Sequence, residues 1–260
     1  MVPPGVWVTV VIPAYEEAAR LPLTLGGWVT FFARQPYAAE VLVVDDGSRD
    51  DTTAVVQAFA AGHQGPPAIR SLTLIRNQGK GGAVKAGVLA AAGANVFYVD
   101  ADLNVAPEHL VPALDCLAGG YDVVAGQRRL RTYAATERSL RRVLGGGLVQ
   151  ATRRIFVLPV VRDTQCGFKG FSAQAARAIF ERTRIRSFAF DVEVLYLAWR
   201  LGMRIKELPV DVVFRSGGTF DVSRHLRPFL GDIVAVRRHA LAGDYGDLSA
   251  GFRRAPSEAR

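Results

Sequence analysis

Four apolar runs, VWVTVVIPA (6–14), EVLVVDDGS (40–48), IRSLTLIRN (69–77) and NVFYVDAD (95–102), constrain this chain more than any other feature. Their β-branched and apolar residues continue without alternating with polar ones, which predicts strands buried on both faces, as in a parallel sheet. Segments of helical length separate them, over 18–33, 51–61 and 81–92. That rhythm predicts an α/β fold with a doubly wound, mostly parallel central sheet and helices on both faces.

In such sheets ligands bind outside the carboxyl ends of the strands, and the polar clusters of this sequence fall there. Pro13, Tyr15 and Glu17 follow the first run, Asp45 and Asp46 the second, Asn77 to Lys80 the third, and Asp100 to Asn104 the fourth. Within FYVDADLN, extended geometry points Asp100 and Asp102 to one side and Ala101 to the other. Two carboxylates so close repel each other unless a cation lies between them. Alone, such a pair reads as a solvated corner where Asp and Asn satisfy turn backbone; beside three other polar strand ends it reads as a site.

Asp46, Asp100, the acid pair and a lysine in the glycine-rich turn NQGKGGA together suit a nucleotide diphosphate with a divalent cation, Mg²⁺ or Mn²⁺, which takes oxygen ligands. Asp102 is the best ligand, with Asp100 and Asn104 in support. The glycines between 79 and 82 let backbone approach a ligand, and Lys80 can touch phosphate. Taken alone, GKGGA is as compatible with a helix-start turn as with a phosphate contact. It matches neither GxxxxGK[ST] nor GxGxxG, which removes a P-loop protein and counts against a dinucleotide dehydrogenase.

The second half is less regular. YDVVAGQRR (121–129) reads as a fifth strand, followed by a basic segment with apolar interleaving over 136–158 and by DTQCGFKGF (163–171). SFAFDVEVLYLAWRLG (187–202) starts with aromatics and continues as a helix, and IKELPVDVVFR (205–215) reads as a strand whose Pro209 favours a sheet edge. The tail over 243–260 is polar, carries Gly and Pro, and is expected to be flexible.

The net charge of +8 favours anionic partners. Nucleic acid is not among those expected, since no RNP-like aromatic motif, zinc spacing or helix-turn-helix pattern is present. Two cysteines, Cys116 and Cys166, fit buried free thiols in a reducing compartment. No signal peptide is recognisable, and no apolar stretch reaches the roughly 18 residues of a spanning helix.

The motifs VVIPAYEE, VVDDGSRDDT, RNQGKGGAVKAG and YVDADL, in this order, resemble the inverting family 2 glycosyltransferases with the GT-A fold. DTQCGFKGF and FAFDVEVLYLAWRLGMRIKELPV narrow the resemblance to the dolichyl-phosphate β-glucosyltransferases and bacterial polyprenyl-phosphate relatives, over about 7–215. It implies one GT-A domain over 1–242, with a nucleotide-binding half to about 105 and an acceptor half after it. It also implies transfer of glucose from UDP-glucose to a polyprenyl (dolichyl-type) phosphate; GDP-mannose as donor, a hydroxyl acceptor, or nucleotide binding without transfer are the alternatives.

By the same resemblance Pro13, Ala14, Tyr15 and Glu17 line the uracil and ribose pocket, Asp46 holds the base, and Lys80 lies near the base or phosphates. Asp100, Ala101 and Asp102 meet ribose and metal, Asn104 stands where relatives carry a polar metal ligand, and Arg128 and Lys169 serve the donor or acceptor phosphate. The eukaryotic enzymes carry an N-terminal anchor, whereas this sequence opens on its first strand. The expectation is a cytoplasmic chain, peripheral at the inner face of an anionic membrane, with the 136–158 segment as a candidate interfacial helix.

A hydroxyl acceptor needs a general base, for which Asp191 in FAFDVE is the nearest candidate. A phosphate monoester, with a second pKa near 6, is already largely anionic at neutral pH and needs none.

Overall fold

The computed structural model describes residues 5–129, 161–213, 222–249 and 251–252. The basic 136–158 segment, residues 253–260 of the tail and the end of the 205–215 reading lie outside the described residues.

The elements follow the expected rhythm: β1 (Val8–Ala14), α1 (Leu21–Phe32), β2 (Ala39–Asp45), α2 (Thr52–Gly62), β3 (Ala68–Thr73), α3 (Lys80–Ala90) and β4 (Asn95–Val99). A 3₁₀ turn (Pro107–His109), α4 (Leu110–Ala118), β5 (Val123–Arg129), β6 (Phe168–Ser172), α5 (Ala173–Phe180), α6 (Phe190–Arg200), β7 (Ile205–Asp211) and α7 (Val222–Ala242) come after it. They build a seven-stranded sheet in the order β3-β2-β1-β4-β6-β5-β7. β6 runs antiparallel to both β4 and β5, and the other pairings are parallel.

Alternation along the strands sorts the core into two layers. Val8, Val10 and Ile12 of β1, Val41 and Val43 of β2 and Phe97 and Val99 of β4 pack under α1, α2 and α4, around Trp28 and Phe32. Val11, Leu42, Val44, Val96 and Tyr98 face the opposite layer, covered by α3, α5, α6 and α7. Each fully buried side chain of this size contributes about 1.5–3 kcal/mol, so both layers are needed to order a sheet this wide.

Expectation and structure part in two places, at β3 and at the start of the tail. β3 is an edge strand with half-exposed positions, not one buried on both faces. β7 forms the other edge and carries Pro209, as its sequence predicts. Residues 243–249, expected to be flexible, pack on the domain: Tyr245 is 2% exposed and donates from its hydroxyl to Glu193 at 2.7 Å.

The chain winds from β1 out to β3 and returns to β4 on the other side of β1, so the strand order reverses between β1 and β4. The β1–β4 ladder ends at Val11↔Tyr98, two residues before Pro13, which has no N–H to extend it. A crevice opens beyond, where α/β sheets bind ligands.

Candidate active site

The rim of this crevice is built by loops zipped to one another. After β1, Glu16 adopts a left-handed φ of 55°. Its N–H donates to Ser48 Oγ at 2.9 Å, Glu17 N to Thr52 Oγ1 at 3.0 Å, and Ala18 N to Asp50 at 3.2 Å. Left-handed backbone in a residue other than glycine persists only where its surroundings enforce it, and these three bonds do so. Pro13 is half-buried and Ala14 is buried, while Tyr15 stands exposed at the mouth.

Asp46 lies 3% exposed behind the next loop, accepting Gln78 N at 2.7 Å and Gly79 N at 2.8 Å. Burial raises its pKa, and the two backbone donors partly offset that. Asp46 therefore anchors the NQGK turn, with one backbone donor on each carboxylate oxygen. Gly79 has φ 82°, and a Cβ there would stand 2.5 Å from the Arg186 carbonyl, which also accepts Gly81 N at 2.8 Å. With the N–H groups of 78, 79 and 81 engaged, the glycine turn is first a helix start that aims Lys80.

Lys80 Nζ meets Asp100 Oδ1 at 2.5 Å and lies 5.7 Å from the centroid of the Phe188 ring. Burial opposes its charge, yet Asp100, with Asp191 and Asp102 nearby, lifts the ammonium's pKa above the ordinary lysine value. Ala101 is buried, its carbonyl held by Thr24 Oγ1 at 2.5 Å. Asp102 accepts from Asn104 through the backbone N at 3.1 Å and through the side-chain amide. Burial first, and the Asp100 carboxylate second, raise the Asp102 pKa. Leu103 between them takes φ 52° and closes against Gly27.

Glu17 completes the acidic side. Its carboxylate pairs with Arg20 at 3.1 Å, and burial raises its pKa, with Asp102 adding to the rise. Arg20 escaped the sequence reading, although Glu17 and Arg20 are spaced to face each other on one helical turn. Across the crevice Arg128, at the end of β5, donates to Asp163 from Nε at 2.6 Å and Nη2 at 2.9 Å. Burial works against its charge, but Asp163, with Asp100 farther off, holds its pKa above the ordinary arginine value.

Two expected site residues are sealed away. Lys169 is fully buried, its Nζ 2.5 Å from Asp191 Oδ1, 3.0 Å from Thr164 O and 2.8 Å from Cys166 O. All three ammonium donors are used, so Lys169 has nothing left for a phosphate. Asp191, 2% exposed, also accepts the Tyr98 hydroxyl at 2.6 Å. A carboxylate fixed by a buried ammonium and a phenol cannot reach an acceptor proton. The pair instead clamps the 164–166 turn, which sets Gly167 against Asp100: Asp100 N donates to Gly167 O at 3.2 Å. A Cβ on Gly167 would lie 2.0 Å from Asp100 Oδ2. Burial pushes the intervening Cys166 thiol up to about 11, an inert packing group.

Glu193 is a further buried carboxylate the sequence did not flag. It accepts Arg184 N and Ile185 N, each at 2.9 Å, and so braces the loop that carries Arg186 and Phe188 into the site. The only signal was an acid on an otherwise apolar helix face.

Among the described residues no group of three His, Cys, Asp or Glu side chains is arranged to hold a metal. The donors present nevertheless fit a hard divalent cation. Asp100 and Asp102 crowd each other enough to raise the Asp102 pKa, and a cation between them would relieve that repulsion. A nucleotide diphosphate and water would complete the oxygen shell.

Comparison with known proteins decides the family. Residues 9–180 match the family described as Glycosyl transferase family 2. The chain belongs to glycosyltransferase family 2. It is 35% identical over 224 residues to a dolichyl-phosphate beta-glucosyltransferase of Drosophila melanogaster, covering 80% of this chain and 67% of that protein. It is 34% identical over 255 residues to the one of Dictyostelium discoideum, covering 92% and 76%. Glucosyl-3-phosphoglycerate synthase from Mycobacterium tuberculosis in complex with UDP shares the fold, with a TM-score of 0.65 at 21% identity over 93% of this chain and 81% of that one. A structure of the same synthase holds Mn²⁺, UDP and phosphoglyceric acid, with a TM-score of 0.64 at 21% identity over 93% of this chain and 79% of that one. The glycosyltransferase thus has the GT-A architecture.

Proposed function

We propose that this glycosyltransferase transfers glucose from UDP-glucose to a polyprenyl phosphate, with inversion and with a divalent cation, at a membrane surface. The observation that carries the reading is the cluster of Lys80, Asp100, Asp102 and Arg128 around one crevice. Two anions and two cations there suit a metal-bound diphosphate facing an anionic acceptor. Relatives named for dolichyl phosphate and glucose, at 34–35% identity over most of the chain, support the donor sugar and acceptor class.

Pro13, Ala14, Tyr15 and Glu17 take the nucleoside, with the exposed Tyr15 ring available to the base and Asp46 as the rear support of that pocket. Asp102 holds the cation, with Asp100 and Asn104 in support. The cation, when bound, neutralises the departing diphosphate as a Lewis acid. Lys80 shares that task from the α3 side, and Arg128 from the β5 side orients the acceptor phosphate, with Asp163 holding the guanidinium in place.

The burial of Asp191 supports the phosphate acceptor over the hydroxyl. With that carboxylate committed to Lys169 and Tyr98, the nucleophile must bring its own charge, as a phosphate monoester with a second pKa near 6 does.

The test is transfer of labelled sugar into organic-extractable lipid, with UDP-glucose or GDP-mannose as donor, polyprenyl phosphate as acceptor and Mg²⁺ or Mn²⁺ present. Labelled lipid from UDP-glucose, lost in Asp102→Ala and on chelation, is the expected result. Faster transfer from GDP-mannose would overturn the donor assignment, and no labelled lipid from either donor would overturn the acceptor.

A further inference from the structure

The acid pair is backed by α1. Thr24 Oγ1 donates to Ala101 O at 2.5 Å, and the Leu103 side chain closes on Gly27, where a Cβ would stand 2.8 Å from it. Trp28 follows one turn after Thr24 on the same face of the helix and is 1% exposed. It lines a cavity of about 20 Å³ whose other walls include Asp100, Asp102, Leu103, Asn104 and Gly167.

The one polar atom of the Trp28 side chain, Nε1, is buried and has no hydrogen-bond partner among the described residues. Buried donors in native folds are paired with protein or with ordered water almost without exception. Whatever takes this one must accept from an N–H, because the indole offers a hydrogen and no lone pair; the cavity is therefore not the place of the cation. About 10–15 Å³ is enough for one water, and a cavity of about 20 Å³ has no room for a nucleotide or a sugar. A water that accepts from the indole still has two hydrogens to donate. Asp100 turns one oxygen to Lys80 and the other towards Gly167. The Asp102 carboxylate has about four acceptor sites, to which Asn104 supplies two donors.

We propose that one buried water joins the Trp28 indole to the Asp102 carboxylate and makes Trp28 a positioning residue for that carboxylate. α1 then supports Asp102 from behind while Asn104 holds it within its own loop, so that the carboxylate keeps one orientation. Partners that orient a metal ligand in this way are worth about tenfold or more in metal affinity. The inference rests on Asp102 as the cation ligand for its consequence, but the bridge itself is tested without metal.

The experiment uses the full chain carrying Trp7→Phe and Trp199→Phe, both at exposed positions, which leaves Trp28 alone of the three tryptophans. With ¹⁵N-labelled tryptophan a single indole N–H resonance then reports on the cavity. In the metal-free chain it should exchange slowly and show a rotating-frame Overhauser contact to water with the sign of a bound molecule. Asp102→Ala should move the resonance upfield, since a carboxylate at the end of a hydrogen-bonded chain polarises the bonds along it. An indole N–H without the water contact, or one that ignores Asp102→Ala, would overturn the bridge. Position 28 is then filled with benzothienylalanine, which has the shape of tryptophan without its N–H, or with 5-fluorotryptophan, which keeps it. Affinity for Mn²⁺ in the presence of UDP, read by electron paramagnetic resonance, should fall about tenfold with the first and hold with the second. Full affinity with the first, or an equal loss with both, would overturn the positioning role. The bridge seen by resonance in a chain that binds no Mn²⁺ would support the water and its hold on Asp102 while removing the cation reading.

Discussion

Replacing Gly167 by alanine tests the site geometry at its tightest point. The added Cβ would stand 2.0 Å from Asp100 Oδ2, 2.3 Å from its Cγ and 2.7 Å from its Oδ1. Ordinary contact begins near 3.4 Å, so the half-exposed carboxylate, the far end of its side chain, must retreat by about 1.4 Å. Asp100 then leaves Lys80, now 2.5 Å away, and the acid pair at the crevice loses its alignment. A misplacement of about 1 Å at a reacting centre costs on the order of 100-fold in rate, or about 2.7 kcal/mol in the barrier. Steady-state donor turnover measures it, with thermal unfolding as the check on folding. Gly62→Ala, where a Cβ meets nothing within 4 Å, is the control and should keep full activity. A folded Gly167→Ala enzyme with near wild-type kcat would refute the claim that Asp100 must sit where Gly167 lets it.

Three further outcomes follow from the buried charges. Lys169→Met strands Asp191 without its ammonium and should cost about 3–5 kcal/mol in urea unfolding, with much of the loss recovered in Lys169→Met/Asp191→Leu; additive losses would show that the two are not a pair. Because burial and Asp100 raise the Asp102 pKa above the ordinary 3.8, binding of Mn²⁺ measured by electron paramagnetic resonance should fade on acidification at a pH above that value. Asp100→Asn should move that edge downward, and an unmoved edge would contradict the coupling. Burial also raises the Glu193 pKa above 4.5, so between 4.5 and the raised value the folded protein holds a proton the unfolded chain has released. Stability should therefore fall as pH rises through that window, and a flat urea midpoint there in wild type, matching Glu193→Gln, would refute it.

The strands of the first half were legible because continuous apolar runs have few other solutions, and their polar ends located the crevice. β6 was not, since GFKGF interrupts its apolar character with two glycines and a lysine. Only the folded neighbours explain these: Phe97 occupies the space a Gly170 side chain would need, Asp100 that of Gly167, and Asp191 neutralises Lys169. The resemblance alone put Lys169 near a phosphate and Asp46 near a base, and sequence could not show that Lys169 is fully buried against Asp191 or that Asp46 accepts the N–H groups of Gln78 and Gly79. α7 went unread because Pro228 lies within it, and Tyr245 because a lone aromatic in a polar tail reveals no partner until Glu193 comes near it.

The account's central claim is that the acceptor brings its own negative charge and needs no base from the protein. The most direct measurement is the rate of glucose transfer to polyprenyl phosphate and to the matching polyprenol across the pH range. The account predicts transfer to the phosphate alone, with an acid limb following its second ionisation near pH 6. Comparable transfer to the alcohol would contradict it and require a protein base that the burial of Asp191 denies.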